Sequence, residues 1–187
     1  MSSKFPILKF PLVIVSTILS LCDACDLIAL SFCSRLANVI VRNNLPRKPR
    51  KWELSMHAES EKMSAIITVG RDINNPTPIV IHNLSELKSK KSEIVKIGKM
   101  LVPVIVKRNK YMGSIETYWE NEEDGLKAVI VYISELLRIN VSGIYFDKDS
   151  YWAVDWVKAQ QEEQLHVVCV NISEDIFDEE TFERYIR

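Results

Sequence analysis

Residues 10–34, FPLVIVSTILSLCDACDLIALSFCS, hold two apolar runs on either side of Cys22-Asp23-Ala24-Cys25, and no charge interrupts the first from Phe10 to Cys22. Pro11 suits the first turn of a helix, where its fixed φ is already helical and its missing N–H would have had no partner. The periodicity predicts a helix from there to about Cys22. Ile14, Val15, Ile18, Leu19 and Cys22 form its apolar stripe, and Ser16, Thr17 and Ser20 leave only a narrow polar strip. A second helix is predicted from Leu27 to about Val41, capped by Asp23 or Asp26. Its residues Leu27, Ile28, Leu30, Phe32, Leu36, Val39 and Ile40 cover more than half its circumference. Two short helices cannot bury that much apolar surface against each other, so the remainder needs another part of this chain or another protein.

The rest of the chain is long enough to supply a core: 187 residues, 47% hydrophobic and 26% charged, exclude wholesale disorder. Residues 42–52, RNNLPRKPRKW, carry five cations, two prolines and no acid, and read as a linker. Without interleaved aromatics they do not point to nucleic acid. Beyond them Trp52–His57, Ala65–Val69 and Pro78–His82 read as strands. Lys88, Lys90 and Lys91 suit a solvated edge, and residues 101–106 an extended segment near a sheet margin, because Pro103 cannot donate to a ladder. A helix over 125–137, a strand over 144–146, a helix over 149–162 capped near Asp149 or Ser150, a strand over 165–172 and a helix over 179–186 follow. This alternation suggests strand–helix units stacked on a sheet, with parallel strands. The expected fold is mixed α+β: a small helical unit at 5–42, a basic linker at 43–51 and an α/β domain at 52–187. Charge is divided unevenly, with 18 Lys/Arg and 8 Asp/Glu in residues 1–115 against 6 and 17 in residues 116–187. Such polarity steers partners or draws the two halves together.

The cysteines leave several readings open. Cys22-x-x-Cys25 before a helix has the spacing of a thioredoxin-like oxidoreductase, but Asp23 and Asp26 would raise a thiol pKa there rather than lower it. A zinc clip needs two further ligands, and Cys33 with the distant His57, His82 or His166 forms no second knuckle. Small buried residues at a helical turn is the favoured reading, and four cysteines crowded mostly into one stretch suit a reducing compartment. Lys4 and Lys9 before the uncharged run, with N-x-S sequons at Asn83, Asn140 and Asn171, suit instead a secreted glycoprotein with a cleaved leader. The run is shorter than the roughly 20 apolar residues of a membrane span. No serine nucleophile elbow, glycine-rich phosphate loop or His-Glu metal motif occurs, so no catalytic site, cofactor or metal is expected. Trp119, Tyr151, Trp152 and Trp156 are expected in or beside the core.

Residues 10–40 resemble an F-box, the helical motif that docks onto the Skp-type adaptor of cullin-based ubiquitin ligases. Without gaps, Phe10-Pro11 stands at the motif's Leu-Pro, Ile18-Leu19 at its central Ile-Leu, Asp26-Leu27-Ile28 at Asp-Leu-Leu, and Leu30-Ser31-Phe32-Cys33-Ser34 at Leu-Ser-x-Val/Cys-Ser. Val13, Cys22, Ala24 and Ala37 replace the usual acid, Leu, Pro and Trp. FPILKFPL and SFCS resemble the nematode F-box families, and residues 124–186 are similar in general pattern to the F-box-associated domain that follows the motif there. The resemblance implies an intracellular, cytoplasmic or nuclear, non-enzymatic substrate-recognition subunit. Pro11, Leu12, Ile14, Ile18, Leu19, Leu27, Ile28 and Leu30 would enter the interface with the adaptor, which in turn joins the cullin. The C-terminal domain would present an unidentified target protein.

Overall fold

Two side-chain caps cut the N-terminal region into three helices. The computed structural model describes residues 10–45, 52–69, 72–108 and 113–171. In it α1 spans Leu12–Leu21, α2 Ala24–Phe32 and α3 Arg35–Asn44. Pro11 is itself the cap of α1, with its carbonyl accepting from the Ile14 and Val15 amides at 2.9 and 3.1 Å. Asp23 Oδ1 accepts from the Asp26 amide at 2.7 Å, and Ser34 Oγ from the Ala37 amide at 3.0 Å. The single helix expected over 27–41 is therefore two. Ser34 is extended, at φ −170°, and its hydroxyl satisfies an amide that an uninterrupted helix would have paired internally.

Eight strands follow, in one sheet of mixed direction. They are β1 (Trp52–Glu59), β2 (Lys62–Val69), β3 (Asp72–Asn83), β4 (Glu93–Ile97), β5 (Met100–Arg108), β6 (Gly113–Trp119), β7 (Val141–Phe146) and β8 (Val167–Val170). Two helices interrupt them, α4 (Glu122–Leu137) and α5 (Trp152–Gln160). The spatial order is β4-β5-β6-β3-β2-β1-β7-β8. Neighbours are antiparallel except β3 with β6, β1 with β7 and β7 with β8, which are parallel. Parallel strands thus occur where the alternating C-terminal pattern predicted them, while the first three strands form an antiparallel meander. Strand β6 was not expected from the sequence, and the helix expected over 179–186 lies outside the described residues.

Period-two alternation puts one apolar row on one face. Paired positions across the sheet, Val95 with Val102, Ile79 with Ile115, Ala65 with Met56 and Met56 with Ile144, are all buried there. Helix α4 lies over this row, inserting Leu126, Val129, Ile130, Ile133 and Leu137. Its start is fixed by Asn121, whose Oδ1 accepts from the Asp124 amide at 3.0 Å, three residues before the expected position. Acidic Glu122, Glu123 and Asp124 in the first turn suit the positive end of the helix dipole. Helix α5 sits beside α4, with Lys127 Nζ 4.4 Å from the centre of the Trp152 ring. Its N-cap is Tyr151, and Asp147 rather than Asp149 or Ser150 gathers the preceding amides, accepting from Asp149 N at 3.2 Å and Ser150 N at 3.0 Å. Trp119 is buried, whereas Trp152 and Trp156 are half-buried.

Candidate functional site

The three N-terminal helices are built onto this sheet, and that attachment decides which of their apolar side chains stay accessible. Leu27, Ile28 and Cys25 of α2 enter the same buried cluster as the sheet residues. Helix α2 meets the start of β6 so closely that a Cβ at Gly113 would lie 2.5 Å from Cys25 Sγ, so glycine there is a condition of contact. Arg108, at the end of β5, pairs with Asp26 and lies 3.3 Å from Asp23 Oδ2, tying the start of α2 to the sheet. Between α2, α3 and α4 the Tyr132 hydroxyl joins Ser31 Oγ at 2.7 Å and receives a hydrogen bond from Asn38 Nδ2 at 2.9 Å. Arg138, in the left-handed conformation at the end of α4, donates to the Arg42 carbonyl at 2.7 Å. Helix α1 packs on α3 with Val15 and Leu19 buried, and Ser16 Oγ donates to the Asn44 carbonyl at 3.1 Å.

What remains outside is a face of α1. Leu12, Val13 and Leu21 are 67%, 76% and 77% exposed; Phe10, Pro11 and Ile14, and Leu36 and Val39 on α3, are exposed as well. No charged residue lies on α1. Its hydroxyls turn inward: Thr17 Oγ1 donates to the Val13 carbonyl at 2.9 Å and Ser20 Oγ to the Thr17 carbonyl at 2.7 Å, which makes the outer surface more apolar than its composition suggests. Uncharged, exposed apolar side chains of this kind suit protein docking.

The eight residues expected at the interface divide accordingly. Pro11, Leu12 and Ile14 are exposed, Ile18 and Leu30 are half-buried, and Leu19, Leu27 and Ile28 are at most 1% exposed inside the chain's own core. Val13, Leu21, Leu36 and Val39 were not among them, though all lie on the accessible side. Val13 and Leu21 belong to the same uncharged run; only the direction in which α1 packs separates them from Val15 and Leu19.

The surroundings of Cys25 disfavour redox chemistry. Burial, and then the Asp23 carboxylate, push the Cys25 thiol above its ordinary pKa, the opposite of what an attacking thiolate needs. Cys22 closes α1, and its Sγ lies 3.3 Å from the Ile18 carbonyl. Among the described residues no group of three or more His, Cys, Asp and Glu side chains could hold a metal ion. No helix among them is long and apolar enough to cross a membrane. Asn83, a sequon asparagine, already uses its Oδ1 as an acceptor for the Ser85 amide and hydroxyl, at 3.0 and 2.7 Å.

Comparison with known proteins bears on the helical layer alone. Residues 7–48 match the F-box domain family, and the fold is an N-terminal F-box of three helices followed by a strand-rich sheet with helices, a mixed α+β arrangement. No curated protein and no solved structure matches the chain.

Proposed function

We propose that this F-box docks the chain onto a Skp-type adaptor, and through it onto a cullin-based ubiquitin ligase, while the sheet domain holds a target protein. F-box domains bind adaptors of this type, which supports the general kind of partner. The observation that carries the reading is the uncharged, exposed side of α1, which no other part of the described residues covers. Pro11, Leu12 and Ile14 meet the adaptor directly, with Val13 and Leu21, and Ile18 and Leu30 border the contact. Leu19, Leu27 and Ile28 act from beneath, keeping the helices seated on the sheet. An interface of ordinary size removes about 1,600 Å² from water, and a few such anchors carry most of its energy. On this reading the sheet domain corresponds to the F-box-associated domain that follows the motif in nematode F-box proteins, the setting is intracellular, and the chemistry belongs to other subunits.

Purified full-length chain mixed with a Skp-type adaptor is expected to elute as a single complex in size-exclusion chromatography. Separate elution of the two at micromolar concentration would reject adaptor docking and leave an F-box used for other contacts.

A further inference from the structure

Strand β4 is the free edge of the sheet opposite β8, and its outer backbone is unpaired among the described residues. It turns into β5 through a two-residue loop, Gly98-Lys99, with Gly98 at φ +59°, the left-handed value that this tight turn needs at its first position. Three features meet at this edge. On the helix-covered face, a cavity of about 230 Å³ opens between α2 and the hairpin, with Phe32, Cys33, Val95, Val104 and Val106 in its wall and Lys91 and Glu93 as its charged members. On the other face, Ile94 and Leu101 are 63% and 73% exposed. Around both, residues 84–108 carry seven cations and two carboxylates. Lys107 and Arg108 are paired with Glu116, Asp23 and Asp26, but Lys88, Lys91, Lys96 and Lys99 are exposed and have no ion-pair partner among the described residues.

We propose that the β4 edge takes up an extended acidic segment of a target protein as an added strand. Alternate side chains of an added strand point to opposite faces, so apolar ones enter the cavity beside Phe32 and Val104. The intervening carboxylates reach Lys96 and Lys99, with their methylene stems covering Ile94 and Leu101. Charge selects the occupant: a second copy of this chain pairing through the same edge would set four unpaired lysines against four more, which opposes dimerisation. This assignment rests on the target-holding half of the proposed function and not on adaptor docking.

The test therefore omits the adaptor. The probe is a peptide of about eight residues alternating Glu with Leu or Phe, long enough to span the edge. It is compared with a version bearing Lys for Glu and with one N-methylated at alternate backbone nitrogens. Binding is read by fluorescence anisotropy and by the rate of maleimide modification at Cys33, which lines the cavity, against exposed Cys169 as internal reference. The acidic peptide is expected to bind and to slow modification of Cys33 but not of Cys169. N-methylation should abolish binding, and Lys96→Glu with Lys99→Glu should weaken it by at least about tenfold. Equal binding of the Lys peptide or of the N-methylated peptide, or no binding at about 1 mM, the range of the weakest specific contacts, overturns the proposal. Sedimentation showing a dimer through β4 does the same. None of these outcomes affects co-elution with the adaptor, so the two proposals fail separately.

Discussion

Replacing Leu12 and Val13 together by aspartate is expected to weaken binding of a Skp-type adaptor by more than about a hundredfold, with no loss of thermal stability. A buried apolar anchor is worth about 2–4 kcal/mol, or about 30- to 700-fold in affinity at 1.4 kcal/mol per tenfold, and two buried carboxylates add a desolvation cost. Both positions are mostly exposed in the free chain, so their replacement removes little from its core. They are also the first two residues of α1, whose first turn carries no acid. Carboxylates there face the positive end of the helix dipole and should stabilise it by about 0.3–1 kcal/mol. The variant separates docking from folding: a lowered melting temperature would mean that these side chains support the fold, and unchanged affinity would mean that α1 is not the docking face. The same substitutions at Leu19 would not discriminate, because Leu19 is buried.

The second large effect concerns the junction between the F-box and the sheet. Gly113→Ala should destabilise the chain by about 1–3 kcal/mol, the usual range for overpacking a tight contact. The new Cβ would lie 2.5 Å from Cys25 Sγ and 2.8 Å from Cys25 Cβ, and the second of these cannot be relieved by rotating the thiol. Combining it with Cys25→Ala removes the nearer atom, so the double variant should be less unstable than the sum of the two singles, as expected for residues in direct contact. Denaturant unfolding of the four proteins measures this. Strict additivity would show that α2 does not rest on β6.

Much of this organisation was legible in the residues. The uncharged run after Pro11 predicted α1, and the surplus of apolar surface on the first helices called for cover by another part of the chain or by another protein. The chain itself meets part of that surplus: Leu27 and Ile28 are buried in its core, while Leu12 and Val13 face outward. Periodicity gives the stripe but not the direction in which tertiary packing turns it, so the eight expected contact residues included three that are buried. The break at Ser34 was hidden because Leu36, Val39 and Ile40 continue the apolar pattern of α2; the capping serine was the signal. Strand β6 was signalled by Ile115, Thr117 and Trp119 alternating with Glu116 and Tyr118. It pairs on one side with β5, just before it in the chain, and on the other with β3, more than thirty residues earlier, a parallel pairing that leaves no local trace. The pairing of Arg108 with Asp26 is equally non-local, and with the close contact at Gly113 and the Tyr132 hydrogen bonds it helps to join the helical motif to the sheet domain.

The central claim is that the outer face of α1 is where the adaptor binds. Amide hydrogen exchange of the purified full-length chain, with and without a saturating Skp-type adaptor, tests it most directly. The account predicts slowed exchange across residues 10–21 on binding, with the β4–β5 hairpin unaffected. Adaptor binding that leaves the exchange of α1 unchanged would contradict it.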